Sequence, residues 1–167
     1  MAKYAKLVAL PVLALILMAA ACARKEQSNA AVPQKPPVHE HHAPHGGALV
    51  EIGEEFAHIE LLFNSETGSL TAFSLDGEAE NPVRLKTKEL DLDLRLPDGT
   101  ALPLALLPQA SALTGETVDD TSRFVVVSDR LKGLDSFTGT VREVTTKGVQ
   151  FKNLPFSYPA AHAEEKK

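Results

Sequence analysis

Residues 90–96 read Leu90-Asp91-Leu92-Asp93-Leu94-Arg95-Leu96, and this heptad decides the fold. Apolar and charged side chains alternate without a break. A period of two places one set on each side of an extended strand, so one face is buried and the other is wet. The next four residues, Pro97-Asp98-Gly99-Thr100, form a turn signal. Proline presets φ, and glycine accepts the left-handed conformation. Ala101 to Leu107 then returns as the partner strand, with Pro103 and Pro108 pointing to an edge or a short pairing.

The same pattern extends outward in both directions. Upstream, Ala48 to Ile52, Phe56 to Phe63 and Ser69 to Leu75 read as strands. The segment Asn64–Gly68 is a hairpin loop with Gly68 at the position that needs positive φ, and Asp76-Gly77 closes the third strand. Downstream, Pro108 to Ser122 is loop-like, and the β-branched run Arg123 to Val127 is expected to be a central strand. Asp129 to Ser136 is a loop or a single helical turn. Thr138 to Thr145 and Val149 to Phe156 form a last hairpin around Lys147-Gly148. The sequence carries no long amphipathic helix. About eight short strands between regular turn signals describe an all-β fold, a small antiparallel sandwich or open barrel.

The N-terminus has a different character. Lys3 and Lys6 precede the apolar run Leu7 to Met18, and Ala19-Ala20-Ala21 leads to Cys22. Positive charge, an apolar core and small residues, in that order, are a secretory signal. The apolar core is short of the roughly 20 residues that a membrane span needs, and Arg24-Lys25-Glu26-Gln27 ends it. Cys22 is the only cysteine, so no internal disulfide can form. The expected organisation is a signal peptide over 1–21, Cys22 opening a Pro- and His-rich tether over 22–45, a β-domain over 46–159, and a frayed tail over 160–167. Pro33, Pro36, Pro37 and Pro44 make the tether extended.

Composition excludes several classes of function. Losing Lys3 and Lys6 with the signal takes the formal charge from −5 to −7, and the chain has no tryptophan and few aromatic residues. That argues against nucleic-acid binding. No Gly-x-Ser-x-Gly elbow, phosphate-binding loop or dinucleotide fingerprint occurs, and nothing sets a serine beside a histidine and an acid. The chain is therefore expected not to be an enzyme. The acidic loop Glu116 to Asp120 lacks the alternating carboxylates and closing glutamate of a calcium loop. Asp91, Asp93 and Arg95 form the wet face of their strand, and His162 lies in a solvated tail.

One constellation stands above this background: His39-Glu40-His41-His42-Ala43-Pro44-His45-Gly46-Gly47. Four of the six histidines of the protein lie within it. Neutral imidazoles bind borderline divalent metals. Pro44 argues against a helix through Ala43, so the ligands would converge through a loop that Gly46 and Gly47 allow to turn sharply. A second candidate is His58. In Phe56-Ala57-His58-Ile59-Glu60, alternation puts His58 and Glu60 on one strand face and Ala57, Ile59 and Leu61 on the other. If the Pro-His-Gly-Gly segment lies beside this strand, His45, His58 and Glu60 form a three-ligand set. The plainer reading of His58 is a half-buried packing residue.

Two resemblances extend these readings. Met18-Ala19-Ala20-Ala21-Cys22 resembles a bacterial lipobox, with Ala19 where the pattern most often has leucine. It implies a lipid on Cys22, and several acyl chains suffice for stable anchoring. No aspartate follows Cys22. By the sorting rule of enteric bacteria this favours the outer membrane over the inner, on the periplasmic side. Pro44-His45-Gly46-Gly47, Leu49-Val50-Glu51-Ile52-Gly53, Ala57-His58-Ile59-Glu60-Leu61, Thr67-Gly68-Ser69-Leu70-Thr71-Ala72-Phe73 and Leu75-Asp76 resemble small exported bacterial β-domain proteins. They also resemble the N-terminal module of some periplasmic adaptor proteins of heavy-metal efflux pumps. That likeness covers roughly residues 40–96 and implies metal handling in the cell envelope, with an envelope or efflux-complex protein as partner. The chain lacks the coiled-coil hairpin and lipoyl-like parts of a complete adaptor.

The expected function is thus an envelope lipoprotein that binds a divalent transition metal through His39, His41, His42 and His45, with His58 and Glu60 as further candidates. Beyond the signal the chain has neither methionine nor a free thiol, so Cu(I) is disfavoured, whereas Zn²⁺, Cu²⁺, Ni²⁺ and Co²⁺ suit imidazole and carboxylate. Binding requires neutral imidazole and should weaken below about pH 6. The alternative is a non-catalytic interaction or structural lipoprotein whose histidines are incidental.

Overall fold

The computed structural model describes residues 41–160, and these fold as eight antiparallel strands. They are β1 (Ala48–Ile52), β2 (Ala57–Asn64), β3 (Ser69–Leu75), β4 (Leu90–Arg95), β5 (Ala101–Pro108), β6 (Arg123–Val127), β7 (Phe137–Thr146) and β8 (Val149–Tyr158). A 3₁₀ turn over Asp129–Leu131, capped by the Ser128 side chain, joins β6 to β7. Among the described residues no helix is long and apolar enough to cross a membrane. Residues 1–40 and 161–167 lie outside the description, and with them the signal segment, Cys22, His39, Glu40 and His162.

The strand order is β1-β2-β3-β6-β5-β4-β7-β8, a single nearly closed sheet that bends at β5. From Ala101 to Leu106, β5 pairs with β4. At Leu107 and Pro108 it crosses to pair with Val125 and Phe124 of β6. The two prolines fit this geometry. Pro103 lies where β5 has no β6 partner, and beside Pro108 the ladder to β6 is carried on by the Gln109 N–H, which donates to the Arg123 carbonyl at 2.8 Å, so a missing N–H costs little at either. Aromatic contacts draw the two ends of the sheet together. Phe63 of β2 meets Phe137 and Tyr158 edge-on at 5.2 and 5.3 Å, and Phe56 packs against Phe151 of β8. The Lys147 ammonium adds a hydrogen bond to the Phe56 carbonyl.

The alternation of residues 90–96 is realised directly. Leu90, Leu92 and Leu94 are buried, while Asp93 and Arg95 are exposed. Val50, Ile52, Ile59, Leu61, Leu70, Leu106, Phe124 and Val141 fill the same interior. On the wet face, Arg142 of β7 forks onto both oxygens of Asp93 at 2.8 and 3.0 Å. An exposed pair of this kind contributes little to stability. The turns follow their residues. Gly99 has φ +83 and closes a three-residue loop, and Lys147 and Gly148, both at positive φ, form the two-residue turn between β7 and β8.

The long loop before β6 is fastened by Glu116. Its Oε1 accepts the Ser122 hydroxyl at 2.6 Å and the Ser122 N–H at 2.8 Å, and its Oε2 accepts Thr114 at 2.7 Å. Burial works to raise the Glu116 carboxyl, but Ser122, Thr114 and the Arg84 charge outweigh it and hold the group below its usual value. A carboxyl lowered on folding stabilises the fold above its unfolded value, and the contribution is lost as acid titrates the folded group. The stability advantage of the wild type over Glu116→Gln is therefore expected to be complete near pH 7. It should shrink as the pH falls below about 4.5. Urea melts across that range check it, and a gap that stays constant down to about pH 3 is incompatible with this role.

Candidate functional site

The site is built on the outer face of β2. Alternation sends Ala57, Ile59 and Leu61 into the core, so His58 and Glu60 point to the other side of the sheet. There both would meet water, yet both are buried, and Glu60 has no exposed surface at all. The cover is the segment His41–Gly47. These residues, read as the end of a tether and the start of the domain, lie across β2 and are fastened to it.

Glu60 is the fastening. Its Oε1 accepts two backbone N–H groups, from His45 at 2.8 Å and from Gly47 at 2.9 Å. Its Oε2 lies 2.7 Å from His45 Nδ1. A carboxylate without solvent needs such partners, because an uncompensated buried charge costs several kcal/mol. The His-Gly-Gly part of the motif thus has a structural explanation residue by residue. His45 supplies a ring nitrogen and an amide to Glu60. Gly46 turns the chain at φ +77, and its N–H donates to the Ala43 carbonyl at 3.1 Å. Gly47 passes so close to β2 that a Cβ there would lie 2.5 Å from the Leu61 carbonyl oxygen and 2.9 Å from Glu60 Cγ. The backbone that Gly47 brings close is thus that of β2.

The His45 ring lies flat on Phe73 of β3, with centroids 4.0 Å apart and planes 11° from parallel. Phe73 is the cross-strand neighbour of Glu60, so the pair that pins the ring and the surface that supports it share one rung of the sheet. Two residues away on the same face, His58 Nδ1 lies 3.1 Å from the Asp76 carbonyl oxygen. A carbonyl only accepts, so His58 donates from Nδ1. The Asp76 loop is itself fixed. The Asn81 amide holds the Asp76 carboxyl below its ordinary value, against the opposing effect of burial. The Glu80 and Asn81 N–H groups and the Lys147 charge add to it.

His41 completes the cluster. Its ring sits 4.8 Å from that of His58, and its Nε2 is buried, 3.7 Å from a Glu55 oxygen and so beyond hydrogen-bond range. His42 is exposed. The structure therefore brings His45 to Glu60 and His41 to His58. Among the described residues, no three His, Cys, Asp or Glu side chains converge on one point that would hold a metal ion. Phe73, Asp76 and Glu55 were missed by the sequence reading. Phe73 carried a signal, since alternation from Leu70 and Ala72 turns this large apolar ring away from the core.

Elsewhere, a groove of about 840 Å³ runs between residues 84–91 and 142–148 and contains no histidine. Its arginines are committed, Arg142 to Asp93 and Asp91, and Arg84 to Glu116 and Asp120. Comparison with protein-family models, characterised proteins and solved structures finds no match to this chain.

The two glycines provide a graded test of the docking. Gly46→Ala meets open space and bears only the strain of positive φ, about 1 kcal/mol. Gly47→Ala must push backbone away from β2 and should cost more, on the order of 2–4 kcal/mol, with loss of the Glu60 hydrogen bonds. Thermal melts of the two variants, with amide exchange at residue 47, check the order. Equal costs would place the close approach elsewhere.

Proposed function

We propose that this protein is a lipid-anchored cell-envelope protein that binds a divalent transition metal, in metal buffering or efflux-related handling. The ligands are drawn from the histidines of segment 39–45, with His58 beside them. The observation that carries this reading is the pairing of His45 with buried Glu60. A ring held by its Nδ1 directs Nε2 elsewhere, and an imidazole fixed in this way has little freedom left to surrender on binding a metal. His41 stands against His58 with its Nε2 buried and without a hydrogen-bond partner, which adds an imidazole pair on the same face. Soft Cu(I) remains disfavoured, and Zn²⁺, Ni²⁺, Co²⁺ and Cu²⁺ suit the donors. The anchor at Cys22 rests on the lipobox-like sequence alone.

The second reading, an envelope interaction protein with incidental histidines, draws on exposed Leu107, Leu113, Val118 and Val127. Calorimetric titration separates the two. Zn²⁺ added to the full chain in detergent should show a saturable site of micromolar affinity or better. It should weaken at least tenfold in a His41→Ala/His45→Ala variant and vanish when His39 and His42 are also replaced. Weak binding of similar strength in all three proteins would support incidental histidines instead.

A further inference from the structure

We infer that the groove between residues 84–91 and 142–148 is a docking site for an extended, acidic segment of a partner protein, which adds as a strand to the open edge of β7. The inference is independent of the metal-binding reading, since the groove contains no histidine. It arises from a split in the sheet. The ladder between β4 and β7 runs from Arg95 opposite Thr138 to Leu92 opposite Val141 and stops there. Past Val141, β7 continues from Arg142 to Thr146 with β8 as its only partner strand. The two-residue turn at Lys147-Gly148 makes Thr146 and Val149 a hydrogen-bonded pair, and the ladder alternates from there. The N–H and C=O groups of Val144 and Thr146 therefore face β8, and those of Glu143 and Thr145 face the groove. Among the described residues no backbone hydrogen bond joins Glu143 or Thr145 to the opposite wall. An open edge of this kind, about 17 Å long at the rise of an antiparallel strand, is a template for a further strand.

The opposite wall supplies the charge. Arg84 is held by Glu116 and Asp120, but Lys86 and Lys88 are exposed and form no ion pair among the described residues. The acids of the groove are mostly engaged. Asp91 lies 3.8 Å from Arg142, and Glu143 accepts from Gln150 at 2.6 Å and faces Lys152 at 3.1 Å. That leaves Glu89 alone against the two lysines. The groove is thus a positive strip on a chain whose formal charge is −5, and it attracts an acidic segment while repelling a basic one. Thr146 adds an independent sign of a missing partner. It lines the groove, and its hydroxyl is buried without a hydrogen-bond partner. A carbonyl or carboxylate of a docked strand would accept from it. The volume of about 840 Å³ lies within the range of ligand sites. Backbone pairing along β7 supplies the affinity, and Lys86 and Lys88 supply the preference for acid.

The test titrates ¹⁵N-labelled full chain in detergent with an octapeptide alternating threonine and glutamate, a sequence that favours an extended strand. In the free protein the amides of Glu143 and Thr145 should exchange faster than those of Val144 and Thr146. Added peptide should protect them and shift resonances of residues 84–91 and 142–148. Affinity should fall at least tenfold for the threonine–lysine peptide and for the Lys86→Glu/Lys88→Glu variant. It should fall as far for a glutamate peptide N-methylated at alternate residues, which keeps its charge but cannot complete the ladder. An N-methylated peptide that binds as tightly as its parent overturns strand addition, and a lysine peptide that does so overturns the acidic preference. No shift in these residues at millimolar peptide overturns the inference outright. Protection of Glu143 and Thr145 that rises with protein concentration in the absence of peptide assigns the edge to a second copy of this chain and overturns the partner assignment. If the double variant does not fold, the three peptides on the wild type decide alone.

Discussion

A carboxylate closed off from water must find its hydrogen bonds inside the protein, and the outer face of this domain is organised by that requirement at Glu60. The side chain sits on the side of β2 away from the core, where it would ordinarily be solvated at no cost. It is buried because the segment before β1 crosses over it, and that crossing is held by the bonds the carboxylate accepts. Each half of the arrangement requires the other. Without the segment Glu60 would be solvated, and without Glu60 the N–H groups of His45 and Gly47 would lose their acceptor.

The barrel-like sheet supplies a rigid base for this. Because β2 is paired on both sides, with β1 and β3, Glu60 and His58 have fixed positions relative to Phe73 and to the Asp76 carbonyl. The segment His41–Gly47 therefore has a defined place on the sheet. Two of its histidines, His41 and His45, come to rest against side chains carried by strands. A site made from loop residues gains precision when strand residues orient it.

The strands were legible in the sequence because their signal is local. Alternation in residues 90–96, the glycines at 68, 99 and 148, and the β-branched run at 123–127 each act within a few positions. The strand order was not legible. It depends on which buried face meets which, and β5 changes partner within its length. The Asp129–Leu131 turn was bounded only as a loop or one helical turn, because three residues carry little periodicity. At the site, alternation placed His58 and Glu60 on one face. It could not show that Glu60 would accept from the backbone of a segment some fifteen residues earlier, a contact set by tertiary docking. The motif Pro-His-Gly-Gly was visible, but the need for glycine at 47 comes from the approach to Leu61 and appears only in three dimensions.

The central claim is that the docked segment offers imidazole nitrogen to a metal. Anomalous diffraction at the zinc edge from crystals of the zinc-loaded protein tests it most directly. The account predicts a zinc ion about 2.0–2.1 Å from an imidazole nitrogen of segment 39–45. Zinc found only at sites remote from residues 39–60 would contradict it.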